Sequence, residues 1–106
     1  MSSQLIIEQM LTQLGLIDES WTELETIDAG CAFVLENIEL LALLPKRVRG
    51  NLHLLESDIA KYRRKTLMGL CRRLAKELQG GIIRRRKQVR IDNKTVSKYS
   101  YRLIKG

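Results

Sequence analysis

The hydrophobic period of this chain changes at Gly80-Gly81, and that change limits the fold to helices first and a β-hairpin last. Ahead of the glycines, apolar residues recur every three or four positions. Over residues 52–78 they form a stripe of Leu52, Leu55, Ile59, Tyr62, Leu70, Leu74 and Leu78, with Thr66 as a polar member. That spacing lines one side of an α-helix. Asn51 suits the N-cap, because its side-chain oxygen can accept from a free amide of the first turn. Gly80-Gly81 stops the helix. Ser57 and Asp58 offer a restart, in which case the stretch divides into two helices.

Beyond the glycines the alternation is twofold. Residues 82–91 and 96–104 are rich in β-branched and aromatic side chains, and Asp92-Asn93-Lys94-Thr95 separates them. This is a hairpin signal. A two-residue loop that pairs Ile91 with Val96 and Val89 with Lys98 mixes apolar and charged residues on both faces. A three-residue loop over residues 93–95 pairs Ile91 with Ser97, Val89 with Tyr99, Lys87 with Tyr101 and Arg85 with Leu103. It collects Ile83, Val89, Ile91, Tyr99, Tyr101 and Leu103 on one face. Arg84, Arg86, Gln88, Arg90, Lys98, Ser100 and Arg102 then share the other. The second register separates the faces better and is the one expected.

The N-terminal part reads as helical. Leu5, Ile6, Met10, Leu11 and Leu14 place a helix over residues 3–14, with Ser3 at its start and Gly15 at its end. Ser20 with Glu23 fits a capping box for a second helix reaching Leu44, interrupted near Asp28 and Gly30. Trp21, at its start, is expected in a core or an interface. Residues 31–44 are apolar on more than one face, so this helix is expected at the centre of the core or against a partner chain. Pro45 ends it, and residues 46–50 form a short basic turn. The expected fold class is α+β, mainly α. An N-terminal helical bundle precedes a long basic amphipathic helix, which is followed by a C-terminal basic hairpin packed on it. A chain of 106 residues is the size of one domain, and such a domain buries about two-thirds of its unfolded surface.

Charge divides the same chain differently. Residues 1–45 contain eight acids and no Lys or Arg, whereas residues 46–106 hold all 19 basic residues and four acids. The first part therefore carries −8 and the second +15. Acidic and basic parts can neutralise one another inside one fold, but 15 exceeds 8, and the surplus must face solvent or a polyanion. Arg84, Arg86, Arg90, Lys98 and Arg102 on the hairpin are the leading candidates for phosphate contacts. Arginine forks grip phosphate oxygens with paired hydrogen bonds. Charges on a strand can also simply guard an edge against aggregation, but that needs only one or two. Arg63, Arg64, Arg72, Arg73 and Lys76, off the helical stripe, form a second candidate set; a solvated helix face is the plainer reading for them. A basic helix followed directly by a basic hairpin is similar to the order of winged-helix DNA-binding domains, although the helix spans more residues than such recognition helices usually do. Tyr62, Tyr99 and Tyr101 are of a type that stacks on single-stranded bases and equally of a type that packs half-buried.

Other chemistries find little support. His53 is the sole histidine and has no evident nucleophile to serve. Cys31, Cys71 and His53 lack the close paired spacing of zinc ligands. Glu56 and Asp58 are the nearest approach to a carboxylate cluster for metal-dependent hydrolysis. Gly80-Gly81 lacks the lysine spacing of a phosphate loop. The chain is thus expected to be no enzyme and to use neither cofactor nor metal. Cys31 and Cys71 are expected as buried free thiols. With no leader signal and no spanning segment visible, a cytoplasmic location away from membranes is expected, or a nuclear one if the source has a nucleus. The expected partner is nucleic acid, DNA before RNA, bound by a homodimer and suited to a small transcriptional regulator. The rivals are a module or accessory subunit that docks an acidic protein surface, and binding at a membrane surface.

Overall fold

The structure, a computed structural model, describes residues 3–16, 21–23 and 27–104. Its elements run α1 (Ser3–Gln13), β1 (Trp21–Glu23), α2 (Ile27–Glu36), α3 (Ile38–Leu41), α4 (Lys46–Arg49), α5 (Leu52–Tyr62), α6 (Arg64–Glu77), β2 (Gly81–Ile91) and β3 (Lys94–Ile104). The mainly α, α+β class read from the sequence is what is found. The three strands form one antiparallel sheet in the order β1-β3-β2.

The basic helix is two helices, and the break is at Arg63 rather than at Ser57-Asp58. Arg63 adopts a positive φ of 38° and serves as the C-cap of α5 and the N-cap of α6. The reason lies in packing. Leu55 and Ile59 of α5, and Leu67, Leu70, Cys71 and Leu74 of α6, all reach the buried core. A bend between the two groups lets both do so. Thr66 ties the corner by donating its hydroxyl to the Asp58 carbonyl at 3.1 Å. The Asn51 cap forms as expected, accepting from the amides of His53 and Leu54. At the other end α6 stops at Glu77, before the two glycines. Gln79, at φ 61°, makes the left-handed turn instead.

α6 is the centre of the fold, a place that the sequence reading gave to residues 31–44 as one of two alternatives, the other being contact with a partner chain. It packs against α1, α2, α4, α5 and β2. Leu67, Met68, Leu70, Cys71, Leu74 and Ala75 are all buried. Burying each large aliphatic side chain stabilises the fold by about 1.5–3 kcal/mol. α2 comes close to α6 because Gly30 has no β-carbon; one added there meets Leu67 Cδ2 at 2.7 Å. The core cluster joins Ile6, Ile7 and Met10 of α1 to Val34 of α2 and to Tyr101 and Leu103 of β3. The acidic and basic parts of the chain therefore share one interior. Both cysteines are buried free thiols.

Trp21 opens a strand, not a helix. β1 pairs with β3, Trp21 opposite Arg102 and Thr22 opposite Tyr101. Thr22 donates its hydroxyl to the carbonyl of Gly15, which turns the chain out of α1 at φ 81°. Ser20, the other half of the expected capping box, lies outside the described residues, and Glu23 belongs to β1. Residues 46–49 coil into the single-turn helix α4. Among the described residues no helix is long and apolar enough to cross a membrane.

Candidate nucleic-acid interface

The hairpin is longer and its register different from the expectation. Ile91 pairs with Lys94, Val89 with Val96, Lys87 with Lys98 and Arg86 with Tyr99. The loop is the two residues Asp92 and Asn93, at φ 50° and 63°. Two successive positive φ values belong to the primed turns that match strand twist, and Asp and Asn tolerate them better than most residues.

This register redistributes the faces. Ile82, Arg84, Arg86, Gln88 and Arg90 share one face with Leu103, Tyr101, Tyr99, Ser97 and Thr95. Ile83, Arg85, Lys87, Val89 and Ile91 share the other with Arg102, Ser100, Lys98, Val96 and Lys94. The five hairpin candidates therefore do not form one surface. Arg84, Arg86 and Arg90 lie on the face that continues from the core, and Lys98 and Arg102 lie on the opposite one. The sequence reading slipped because it weighted segregation of apolar from charged residues over the length of the strands. The folded hairpin needs an apolar face only at its base.

That base is Ile82, Tyr101 and Leu103, packed on the core cluster. Beyond it the two strands project as an arm. Every residue from Arg84 to Lys98 is exposed except Val89, which is partly so. The arm holds seven cations and one acid, Asp92. Each 11-residue strand spans about 35 Å at roughly 3.3 Å per residue, within a molecule whose longest extent is 48 Å. Lys87 faces Lys98 directly across the ladder. Like charges so placed destabilise a sheet unless an anion intervenes.

Tyr99 links the arm to α6. The Arg64 guanidinium lies over its ring at 4.3 Å from the centroid, and that of Arg84 at 5.0 Å. Hydrogen bonding to Arg64 holds the Tyr99 hydroxyl below its ordinary pKa, and the nearby charges of Arg84 and Arg86 act in the same direction. Hydrogen bonding to Tyr101 raises the Arg64 pKa further. Arg64, Arg84 and Arg86 thus converge on one tyrosine. Arg64 Nη1 and Arg102 Nε are buried with no hydrogen-bond partner among the described residues, so part of each guanidinium's donor capacity is unused there. On the opposite face Arg85 stacks on Trp21 at 4.3 Å.

The helical candidates divide as well. Lys65, Arg72, Arg73 and Lys76 are exposed on the outer side of α6, at helical spacing with Gly69. Arg73 is positioned there by its Nε, which donates to the Val48 carbonyl at 3.0 Å. It lines a groove of about 640 Å³ with Arg49, Lys65, Asn51, Asp58 and Tyr62. Arg63 is engaged elsewhere, in an ion pair with Asp28. Sequence reasoning missed the stacking of Arg85 on Trp21 and the pairing role of Tyr99. The dipeptide Asp92-Asn93, read as a primed turn, was the signal that would have set the face of Arg85 and the partner of Tyr99, since it fixes every β2–β3 pair; it carries no information on β1, where Trp21 lies.

Among the described residues no group of three His, Cys, Asp or Glu side chains is placed to hold a metal ion. No protein-family model matches the chain, and neither a curated protein nor a solved structure matches it.

Proposed function

We propose that this chain is a non-enzymatic nucleic-acid-binding protein that grips duplex DNA with the β2–β3 arm and α6, in the manner of a small transcriptional regulator. The observation that carries this reading is the arm itself, a projecting ribbon with seven cations over residues 84–98. A two-stranded ribbon fits the major groove of B-form DNA, whereas the major groove of A-form RNA is too narrow for it. Arg84, Arg86 and Arg90, with Arg64 at the root, supply one phosphate-facing surface. Arg72, Arg73 and Lys76 supply a second on α6; Lys98 and Arg102, on the arm's other face, stand apart from both.

The topology supports the same reading. The break at Arg63 leaves α6 with 14 residues, a length suited to a recognition helix. The order of a helix, a strand, further helices and a hairpin, with β1 paired to β3, is similar to that of winged-helix domains. We further propose a homodimer, which doubles the basic surface and fixes the spacing of half-sites. A cytoplasmic location agrees with two unpaired thiols, which a reducing compartment preserves.

The test is binding of duplex DNA, single-stranded DNA and RNA at several salt concentrations. Duplex affinity is expected to lead and to fall steeply with salt. Replacing Arg84, Arg86 and Arg90 together by Ala is expected to abolish specific binding with an unchanged circular dichroism spectrum. Failure of all three nucleic acids to bind at low salt would instead favour an acidic protein as the arm's partner.

A further inference from the structure

The two faces of the arm ask for different partners. One face beyond the core carries Arg86, Gln88, Arg90, Thr95 and Ser97, all polar. The other carries Val89, Ile91 and Val96 near the tip, with Ile91 44% and Val96 42% exposed. Lys87, Lys94 and Lys98 border this apolar patch on the same face. A polyanion satisfies the first face and the lysines, but it offers nothing to three aliphatic side chains.

A complementary surface lies on the N-terminal half. Ala32, Leu35, Glu36, Glu39 and Leu43 are exposed at intervals of one to four residues along α2, α3 and the turn that follows α3, Leu35 at 43% and Leu43 at 64%. Here the apolar residues are bordered by acids. Glu36 and Glu39 join no ion pair among the described residues. Of the ion pairs found there, Arg63–Asp28 links the acidic and basic parts of the chain, whereas Arg47–Glu77 lies within the basic part. The arm of the same chain does not cover this stripe, since residues 84–98 stand exposed.

We propose that the Val89–Ile91–Val96 face of the arm docks on the Leu35–Glu36–Glu39–Leu43 stripe of a second copy of this chain. Its lysines meet the partner's glutamates, and its aliphatic tip covers the partner's leucines. In a twofold dimer each copy gives one arm and receives one, so the contact is made twice. The opposite face, with Arg84, Arg86 and Arg90, stays free for nucleic acid. Pairing of two arms edge to edge is disfavoured, because the run Arg84-Arg85-Arg86-Lys87 sets like charges against each other along β2. This inference rests on the dimer reading and is independent of nucleic-acid binding.

Sedimentation across a concentration series tests it on the full chain. Lys87→Glu with Lys98→Glu, or Glu36→Lys with Glu39→Lys, is expected to raise the dimer dissociation constant about a hundredfold, because each sets like charges face to face. Combining the four changes restores opposite charges and is expected to return the wild-type value. Ile91→Lys with Val96→Lys dissociates the dimer without rescue. All these positions are exposed, and circular dichroism checks the fold of each variant. A dimer that persists through every variant overturns the arm contact and leaves the dimer reading standing. A wild-type chain that sediments as a monomer throughout overturns both.

Discussion

Cys71 lies at the centre of α6, and burial pushes its thiol from 9.0 up to about 12. A thiol held neutral this way is a poor nucleophile, since the thiolate is the reactive form. Native protein at pH 8 is therefore expected to resist alkylation at Cys71, which a denatured control modifies at once. The same shift has a stability consequence. The folded pKa is raised, so the thiol carries no penalty below pH 9, and stability is lost as pH rises from there toward 12. Each pH unit in that window costs about 1.4 kcal/mol. Urea melts of the wild type and of Cys71→Ala are expected to draw together as pH rises from 8 to 11. A constant gap would show that the thiol does not control this loss.

Gly30 illustrates the same core from the other side. Alanine there gains about 1 kcal/mol in helix propensity. Its β-carbon, however, meets Leu67 Cδ2 at 2.7 Å, and Leu67 is fully buried, so its side chain must shift inside a packed core. Overpacking of this kind costs about 1–3 kcal/mol. Gly30→Ala is expected to destabilise the protein by about 1 kcal/mol net, read from a shift in the urea midpoint. A rise in stability would mean that α2 and α6 part easily.

At the scale of elements, the residues that were legible are those whose local chemistry settles their conformation. Asn51 caps α5 because its side chain and the two free amides are neighbours in sequence. The twofold alternation after Gly81 marks the strands, and the class of fold follows. Less legible were the features decided by distant contacts. No glycine or proline marks the bend at Arg63; it exists because α5 and α6 must both reach one core. β1 is three residues long and is a strand only because β3 lies beside it. The hairpin register was in principle readable from Asp92-Asn93, but the pattern of charges pointed to a different loop. Of the candidate site, the identity of the basic residues was legible and their distribution over two faces was not. The turn offers a test. Glycine at position 93 relieves a β-carbon held at positive φ, a conformation that costs roughly 1 kcal/mol or more, against roughly 0.5–1 kcal/mol of added chain entropy. Asn93→Gly is expected to slow amide exchange in the arm about twofold and to leave exchange in α6 unchanged. Faster exchange would argue against the two-residue turn.

For the whole molecule the governing quantity is the separation of charge, −8 over residues 1–45 and +15 over the remainder, held together by one shared core. Because the two parts are joined by a shared core more than by exposed ion pairs such as Arg63–Asp28, salt has little hold on the fold. It has a strong hold on any bound polyanion, since each neutralised phosphate releases counterions. Stability and binding should therefore respond to salt in different degrees. The midpoint of urea unfolding is expected to change little between low and moderate salt, while duplex affinity falls along a straight line of log K against log salt. The slope is about −0.9 for each phosphate neutralised. Arg84→Ala with Arg86→Ala, an arm variant that keeps Arg90, should flatten it by about 1.8 if each contacts one phosphate. Arg72→Ala with Lys76→Ala should flatten it by about 1.8 if α6 joins the same duplex. A slope that the arm variant changes and the helix variant does not would confine the interface to the hairpin. A slope changed by neither would remove both surfaces from the interface.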